Sequence, residues 1–357
     1  MEIKPSTVLV ALSGGVDSSL AAALLKEAGW GVAGLHLLLP TSPEKRSAKI
    51  DLVKGVAEHL NIPISFEDME EEFNRLVVDP FTDSYLRGLT PNPCVMCNQV
   101  IKFDCLLRNA EKDGIRYIAT GHYVRLIRGE SQSVELFRGK DRDKEQSYFL
   151  HRLTRSHLER SVFPLGDMTK EKTRSLAQEM KLPTRLEPES QEICFIPGND
   201  YRRFLEHREG PGLEKEGDII DRTGRKVGEH SGTYQYTVGQ RHGLGIASSR
   251  PYYVMEIRPE GNQVIVGRKE DLFSRSVDAD SFNWVNGAPP ERSMKVMAQI
   301  RYRHDAASGR LEIISPDKVR LEFDEPQSAV TPGQALVCYG GERLLGGGWI
   351  RRKAQGA

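Results

Sequence analysis

The stretch that decides the fold of this chain is Ser13-Gly14-Gly15-Val16-Asp17-Ser18-Ser19. Residues 7 to 12 before it are uncharged and rich in β-branched side chains, which is typical of a short strand buried on both faces. From Val16 to Ala28 apolar residues recur at helical spacing, and Gly29 follows where helices commonly end. Glycines let the backbone come close to a ligand, and the first N–H groups of a helix point towards anions. The stretch therefore predicts a strand–loop–helix unit that binds phosphate.

The kind of phosphate loop follows from the residues around the two glycines. A Walker loop needs a lysine and a hydroxyl residue after its last glycine, whereas Val16 follows here. A dinucleotide fingerprint needs three spaced glycines, and this loop has two adjacent ones. The pattern Ser-Gly-Gly-x-Asp-Ser resembles the PP-loop of the ATP pyrophosphatases, which attach AMP to a substrate oxygen and release pyrophosphate. The resemblance implies an ATP site.

Composition limits the classes of partner. The chain has 357 residues, enough for two or three domains that each have a core. Lys plus Arg and Asp plus Glu are both 50, so the formal net charge is zero. This balance argues against a generally cationic surface for nucleic acid but leaves local basic patches open.

Apolar runs and cysteines indicate the compartment. The most apolar stretch, near Gly31 to Leu39, is shorter than the ~18 residues that a membrane span needs. The first residues lack the order of a secretory leader, since their apolar run reads as the first strand. The five cysteines read as thiols or ligands rather than disulfides. We expect a soluble cytoplasmic protein with no membrane partner.

The order of the predicted elements gives the fold class. Up to about residue 120, predicted strands alternate with helices, which favours an α/β fold with a doubly wound, Rossmann-like parallel sheet. The carboxyl ends of such strands form one crevice, which would bring residues 13–19, Leu37 and Gly121-His122 together. After Asp218 short strands and turns dominate, including predicted hairpins over 217–227 and 252–268, and the final strands predict a small barrel. We expect a catalytic domain over 1–205, a small β-rich central domain over 206–280 and a C-terminal β-barrel over 281–357.

A proline-rich loop carries a Cys-x-x-Cys pair, Cys94 and Cys97. Two prolines flank Asn92 and stiffen this loop. Helix N-termini lower the pKa of thiols, and a helix starting near Asn98 predicts this effect at Cys97. The alternatives are two half-buried thiols or half of a structural zinc site, although zinc would need a second pair of ligands. From local sequence alone, Cys194 reads as a core residue.

An ordered set of motifs carries a closer resemblance. The motifs are Ser13-Gly14-Gly15-Val16-Asp17-Ser18, Thr90-Pro91-Asn92-Pro93, Cys97-Asn98, Ala119-Thr120-Gly121-His122-Tyr123, Gln146-Ser147-Tyr148-Phe149-Leu150, Ile193-Cys194-Phe195, Gly239-Gln240-Arg241 and Thr331-Pro332-Gly333-Gln334. Together they resemble the bacterial tRNA-specific 2-thiouridylase family over nearly the whole chain. The resemblance implies an enzyme that adenylates the oxygen on carbon 2 of the wobble uridine, position 34, and replaces it with sulfur. The products would be 2-thiouridine, AMP and pyrophosphate.

The same resemblance assigns roles to residues. Cys194 matches the cysteine that carries sulfur as a persulfide, and Cys97 matches the nucleophile that releases the sulfur or forms a disulfide with Cys194. Asp17 is expected to help with pyrophosphate or Mg2+, or to cap its helix. The ATP-binding positions would be Ala11, Leu12, Ser13, Gly14, Gly15, Val16, Asp17, Ser18, Leu37 and Gly121. The positions facing tRNA or its target base would be Asn92, Pro93, Cys94, His122, Lys144, Glu145, Gln146, Arg301, Tyr302 and Gln334.

One position departs from the family pattern. The family has an acid three residues before the nucleophile, and here Cys94 stands in that place. Any acid–base role of that position is therefore in question. A third nearby thiol also leaves a 4Fe-4S cluster, held by Cys94, Cys97 and Cys194, as an alternative route to the same thiolation.

Other functions remain open at this stage. A PP-loop ATP pyrophosphatase with another substrate would not need Cys97, and a non-catalytic RNA-binding protein would not turn over ATP. A thioredoxin-like redox protein fits poorly because the Cys-x-x-Cys loop does not open a helix in a βαβ unit. The resemblance also implies a sulfur-relay or cysteine desulfurase protein as donor, and we expect a monomer.

Overall fold

A five-stranded parallel sheet organises the first part of the chain, with strand order β3-β2-β1-β4-β7. The computed structural model describes residues 6–129, 133–184 and 193–352. The predicted doubly wound α/β fold is confirmed. The elements of this part are β1 (Thr7–Ala11), α1 (Val16–Glu27), β2 (Gly31–Leu38), α2 (Pro43–Leu60), β3 (Ile64–Asp68), α3 (Glu70–Phe73), α4 (Asp79–Leu86), α5 (Pro93–Met96), α6 (Asp104–Lys112), β4 (Tyr117–Ala119), β5 (Val124–Arg128), β6 (Val134–Arg138), α7 (Arg155–Arg160), β7 (Ser161–Val162), α8 (Lys170–Glu179) and α9 (Tyr201–Glu209).

Strand β1 lies in the middle of this sheet because its side chains are apolar on both faces. Leu9 belongs to one hydrophobic core, whereas Val8 and Val10 belong to the core on the opposite face. This split follows from the two-residue period of a strand. Val8 aligns with Val32 of β2 and Tyr117 of β4, so the three strands end at the same edge. The residues that follow them are thereby brought together.

The helix that carries the Cys-x-x-Cys pair begins earlier than predicted. The sequence indicated a start near residue 98, but α5 begins at Pro93, after Asn92 in an extended conformation. A π-helical segment, Cys97–Phe103, continues α5 directly into α6. A second π-helical segment, Asn74–Val78, joins α3 to α4. The early start places Cys97 inside a helix rather than at its N-terminus.

The central part is a four-stranded sheet of order β10-β11-β8-β9. Both predicted hairpins are confirmed, because β8 pairs antiparallel with β9 and β10 pairs antiparallel with β11. The strands are β8 (Gly217–Asp221), β9 (Lys226–His230), β10 (Tyr253–Arg258) and β11 (Gln263–Gly267).

Short 3-10 turns occur along the chain at Ser147–Leu150, Pro197–Asn199, Pro211–Leu213, Thr233–Gln235, Pro259–Gly261 and Lys269–Leu272.

The last six strands close into a barrel, since β12 pairs with both β15 and β17. The small barrel predicted from the final strands is confirmed, but β12 was missed because its polar residues hide its alternating burial. The hairpin β5–β6 extends this sheet through a pair between Phe137 and Arg343. The strands are β12 (Phe273–Trp284), β13 (Ser293–Gln299), β14 (Ala307–Ser315), β15 (Lys318–Ser328), β16 (Ala335–Gly340) and β17 (Arg343–Ile350).

The first part shares one core with the barrel and another, through Tyr234, with the central part. Ala335, Val337 and Tyr339 of the barrel belong to the same core as Leu9 and Ile101 of the first part. The expected domain ranges stay predictions, and α9 and β12 each run across one of the expected division points at 205 and 280. Within the described ranges, no helix is long and apolar enough to cross a membrane.

Candidate active site

The loop between β1 and α1 has the backbone of an anion site. Gly14 has φ +78° and Gly15 is the extended N-cap of α1, and among the described residues no side chain caps this helix start. The hydroxyl of Ser18 tightens the loop, lying 3.1 Å from Ser13 N and 3.2 Å from the Gly15 carbonyl oxygen. The first N–H groups of α1 therefore point out of a short rigid loop, as phosphate binding requires.

The neighbouring strands bring the other expected nucleotide positions to this loop. A Cβ built on Gly121 would lie 2.8 Å from the Asp17 carbonyl carbon, so the end of β4 touches the loop backbone. On the other side, Nδ1 of buried His36 donates to the Leu12 carbonyl oxygen at 2.6 Å. Leu37 follows in β2 and is partly buried against the core. The ends of β1, β2 and β4 therefore lie side by side, and the crevice expected around residues 13–19, Leu37 and Gly121 stays a prediction.

Both carboxylate oxygens of Asp17 have hydrogen-bond partners. Lys170 Nζ lies 2.7 Å from Oδ1 and 2.8 Å from Oδ2, and the Tyr123 hydroxyl donates to Oδ1 at 2.7 Å. Mg2+ in nucleotide sites is commonly held by one or two carboxylates together with substrate phosphates. Asp17 fits such a role, provided that Lys170 moves away when the ion binds.

The two family cysteines converge although they are far apart in sequence. Cys97 lies on the helix that begins at Pro93, and Cys194 precedes Phe195. Phe195 is held by edge-to-face contacts with Phe73 and Phe81, at centroid distances of 5.6 and 5.3 Å. Burial contributes most to the raised pKa of Cys97, and the nearby Cys194 and Cys94 raise it further. All three thiols are therefore close enough to interact electrostatically.

Lys102 is a residue beside the thiols that sequence analysis missed. Its Nζ donates to Oδ1 of buried Asn98 at 2.9 Å, one residue after Cys97. The charge of Lys102 opposes the burial effect on the pKa of Cys94, Cys97 and Cys194. Burial lowers the pKa of His122 to about 3, and the charge of Lys102 lowers it as well. Helical spacing from Asn98 to Lys102 would have been the signal, because residues four apart share a helix face.

The thiols differ in exposure, and this corrects one expectation. Cys97 is 7% exposed, and burial raises the pKa of its thiol to about 11, so the predicted lowering is wrong. The reason is the early helix start, which removes Cys97 from the helix N-terminus. Cys194 is the exposed cysteine, although partial burial of its sulfur still raises the pKa of its thiol. Cys194 therefore lies at the surface, whereas its local sequence indicated a core residue.

The three thiols do not fit a metal centre in this arrangement. Across residues 6–129, 133–184 and 193–352, no three His, Cys, Asp or Glu side chains are grouped so that they could hold a metal ion. A metal-bound cysteine is a thiolate; burial raises the pKa of Cys94 and Cys97 and so opposes that form, whereas the charge of Lys102 favours it. The described residues therefore present no preformed set of ligands for zinc or for a 4Fe-4S cluster on Cys94, Cys97 and Cys194.

The barrel holds the loop that precedes the first cysteine. Gln334 Nε2 donates to the Thr90 carbonyl oxygen at 2.9 Å, and Thr90 N donates to the Pro332 carbonyl oxygen at 2.9 Å. Asn92 is partly exposed and Pro93 is buried beside this contact. Gln334 thus positions the loop Thr90–Pro93 through its side chain, whatever it contributes to tRNA.

The other positions expected to face tRNA divide into buried and exposed ones. Glu145 is 6% exposed and accepts from the Ser147 amide, and Gln146 Oε1 accepts from Tyr123 N at 3.0 Å. Their side chains therefore stabilise the protein itself. Tyr302 is packed against Phe149 at 4.2 Å between ring centroids. Arg301 is exposed, Lys144 is partly exposed, and His122 is buried.

Comparison with known proteins covers nearly the whole chain. Family models match residues 6–198 (tRNA methyl transferase HUP domain), 202–268 (tRNA methyl transferase PRC-barrel domain) and 274–350 (Aminomethyltransferase beta-barrel domain). The chain is 46% identical over 355 residues to the tRNA-specific 2-thiouridylase MnmA of Geobacter metallireducens, covering 96% of each chain. It is also 46% identical over 365 residues to the protein of that name from Carboxydothermus hydrogenoformans, covering 97% of this chain and 98% of the relative. The Syntrophotalea carbinolica protein of that name is 46% identical over 354 residues, covering 98% of this chain and all of the relative (100%).

The contact between Gly121 and the phosphate loop predicts how a methyl group added at residue 121 changes ATP binding. Gly121→Ala places a Cβ against backbone atoms of Asp17 and Ser18 at 2.8 to 2.9 Å, so the loop must shift. We expect at least tenfold weaker ATP binding, measured by calorimetry. Gly55→Ala is the control, because a Cβ there meets nothing within 4 Å and lies inside α2. That control should raise the free energy of unfolding by about 0.5–1 kcal/mol and leave ATP binding unchanged. Unchanged ATP binding in Gly121→Ala would contradict this account.

The contrast between the thiols predicts their order of alkylation. At pH 8, iodoacetamide should modify exposed Cys194 at least ten times faster than Cys97. A thiol of pKa about 11 has only about one part in a thousand as thiolate at this pH, and Cys97 is buried as well. Its rate should rise about tenfold per pH unit between pH 7 and 10, as followed by peptide mass spectrometry.

Cys338 provides the internal control, since it is fully buried in the barrel and should stay unmodified until the protein unfolds. Equal rates for Cys97 and Cys194 at pH 8 would show that the exposures described above are wrong.

Proposed function

We propose that this chain, which belongs to the family of tRNA-specific 2-thiouridylases, uses ATP to convert the wobble uridine of tRNA to 2-thiouridine. It is a sulfurtransferase whose products are 2-thiouridine, AMP and pyrophosphate. The observation that supports this best is an exposed thiol, Cys194, close enough to a buried thiol, Cys97, for the two to interact electrostatically. A ligase acting through ATP alone would have no use for this pair.

The first step activates an oxygen that is otherwise a poor leaving group. ATP binds with its phosphates at Ser13–Ser18, and its ribose and base side lies against Leu37 and Gly121. The oxygen on carbon 2 of uridine attacks the α-phosphate, the bond to the β-phosphate breaks, and pyrophosphate leaves. Carbon 2 of a uracil is a weak electrophile, and conversion of its oxygen to an AMP ester lowers the barrier to attack. When bound, Mg2+ would be held by Asp17 and would neutralise phosphate charge.

The second step uses the two thiols in sequence. Cys194 is exposed and so can receive sulfur from a donor protein as a persulfide. The terminal sulfur attacks carbon 2 of the adenylated uridine, a carbon–sulfur bond forms, and AMP leaves. The Cys97 thiolate then attacks the Cys194 sulfur and breaks its bond to the transferred sulfur. The electron pair of that bond stays on the sulfur of 2-thiouridine, Cys97 and Cys194 are oxidised to a disulfide, and a cellular thiol or dithiol reduces it afterwards.

Lys102 gives the Cys97 thiol its reactivity in this scheme. Burial holds the pKa of Cys97 at about 11, and the ammonium held on Asn98 opposes that effect. The charge of Lys102 therefore activates only the thiols near it, and its effect on Cys97 increases once the persulfide and the base displace water from the site. A buried resting thiol also protects the enzyme from unproductive oxidation between turnovers.

The tRNA is expected to contact all three parts of the chain. The wobble base must leave its stack to reach the crevice. Asn92, Pro93 and Cys94 are the proposed contacts for that base, and Gln334 holds their loop in place. Lys144, Arg301 and Tyr302 are proposed to contact the tRNA backbone. His122, Glu145 and Gln146 are proposed to support these contacts. We place this reaction in the cytoplasm, with a sulfur-relay or cysteine desulfurase protein as donor and a monomeric enzyme.

Cysteine variants test the two-step scheme. Cys97→Ser and Cys194→Ser should each lower 2-thiouridine formation at least a hundredfold, measured by mass analysis of tRNA nucleosides after incubation with ATP and a sulfur donor. Both should still release pyrophosphate when tRNA is present, because adenylation does not use either thiol. Cys338→Ala is the matched control and should thiolate tRNA normally, since Cys338 is buried in the barrel. Full thiolation by Cys97→Ser would contradict the scheme.

A further inference from the structure

The guanidinium of Arg138 lies between the first part of the chain and the barrel. Its side chain extends from β6 and is 16% exposed. The guanidinium covers the ring of buried Tyr339 on β16, with 3.8 Å between Cζ and the ring centroid. Nη2 donates to Oε1 of Gln299 on β13 at 3.1 Å, and Nη1 lies 4.0 Å from Oε2 of Glu145. One side chain therefore contacts two barrel strands and the segment that carries Glu145.

The contact with Glu145 fixes the segment 144–146. Glu145 is buried, and its Oε1 accepts from the Ser147 amide. Ser147 Oγ in turn lies 3.1 Å from the Tyr339 hydroxyl. A buried carboxylate is costly without a nearby cation, and Arg138 supplies that charge. The segment 144–146 is therefore held at a set place relative to Arg138.

The contact with Gln299 leads to the turn 301–304 of the barrel. Gln299 Nε2 donates to the carbonyl oxygens of His304 at 2.7 Å and Tyr302 at 3.4 Å. The His304 amide donates to the Arg301 carbonyl oxygen at 3.1 Å and closes the turn. A carboxamide accepts through its oxygen and donates through its nitrogen, so the bond from Arg138 directs the nitrogen of Gln299 towards the turn. Arg138 thus also holds the turn in place.

We propose that Arg138 is a positioning residue for tRNA: it sets the spacing between the segment 144–146 and the turn 301–304. The inference rests on the proposed function, because Lys144 and Arg301 on these two segments are the proposed contacts to the tRNA backbone. Phosphate contacts fix the register of a protein on nucleic acid. Two such contacts reinforce each other only when their spacing allows both to form at once. Arg138 would therefore act on tRNA affinity without touching tRNA.

The competing explanation is that Arg138 only compensates the buried charge of Glu145 and so stabilises the fold. The two explanations differ in what happens when both charges are removed together. Arg138→Met with Glu145→Gln leaves no unpaired charge, so this double variant should melt within a few degrees of the wild type. If charge compensation is the whole role, the double variant should also bind tRNA normally. If Arg138 positions the two segments, tRNA affinity stays low although the fold is restored.

The experiment measures the Kd of an unmodified tRNA with uridine at position 34 and the Kd of ATP, together with the melting temperature. Arg138→Met should weaken tRNA binding at least tenfold and change ATP binding less than twofold, because neither segment belongs to the proposed ATP site. With saturating tRNA and ATP, kcat for 2-thiouridine formation should change less than threefold. Arg138→Lys should bind tRNA almost as weakly as Arg138→Met, because an ammonium lacks the planar fork that contacts Glu145 and Gln299 together.

A second substitution separates positioning from stability. In the wild type, Arg301→Met should weaken tRNA binding at least fivefold, because Arg301 is exposed on the turn. In the Arg138→Met background the same substitution should weaken it less than twofold, since the turn is already misplaced. Arg343→Met is the matched control, because Arg343 joins β6 to the barrel through Glu135 rather than through Glu145 or Gln299. That control should bind tRNA and ATP like the wild type.

Four results would overturn the inference: tRNA affinity unchanged in Arg138→Met, equal loss of tRNA and ATP binding, tRNA affinity restored in the double variant, or an Arg301→Met effect that is the same in both backgrounds. If Arg138→Met does not fold, the double variant replaces it in every measurement. A wild-type protein that binds tRNA but forms no 2-thiouridine would overturn the proposed reaction and leave this inference standing. A wild-type protein that binds no tRNA would overturn both.

Discussion

The contact between Gly121 and the backbone of Asp17 is the constraint on which the site depends. It exists because β1 and β4 are parallel neighbours that end at the same edge of the sheet. A side chain larger than glycine would push the end of β4 away from the phosphate loop. His122 follows directly, and the charge of Lys102 acts on both His122 and the thiols. The close packing of two backbones thus connects the nucleotide loop to the sulfur chemistry.

A second constraint decides which thiol is exposed to solvent. Cys97 lies within a continuous helix that begins at Pro93, so neighbouring side chains cover it. Cys194 lies in an irregular segment whose next residue, Phe195, is packed among Phe73, Phe81 and Phe204. The aromatic contacts hold the backbone of this segment beside the helix and leave Cys194 exposed. One thiol is thereby suited to receive sulfur and the other to remain protected until the substrate is in place.

Sequence patterns predicted the elements that are specified by a few neighbouring residues. The buried strand, the glycine loop and the hairpins around 221–224 and 259–262 each follow from composition and turn residues over a few positions. Strand β12 was missed because its burial depends on barrel closure, which its polar sequence does not show. Lys102 and Lys170 were missed for a related reason: each acts through a tertiary contact, and a lysine on a helix ordinarily reads as solvent-exposed. The exposure of Cys194 likewise depends on the packing of Phe195.

Mild oxidation of the wild-type protein with diamide, followed by peptide mapping under non-reducing conditions, tests the convergence of the thiols most directly. A disulfide forms only where two sulfurs can approach within bonding distance, about 2 Å. The account predicts that a Cys97–Cys194 disulfide is the main product, with Cys105 and Cys338 remaining as thiols. A protein in which Cys194 stays fully alkylatable after oxidation, while Cys97 is linked elsewhere or not at all, would contradict it.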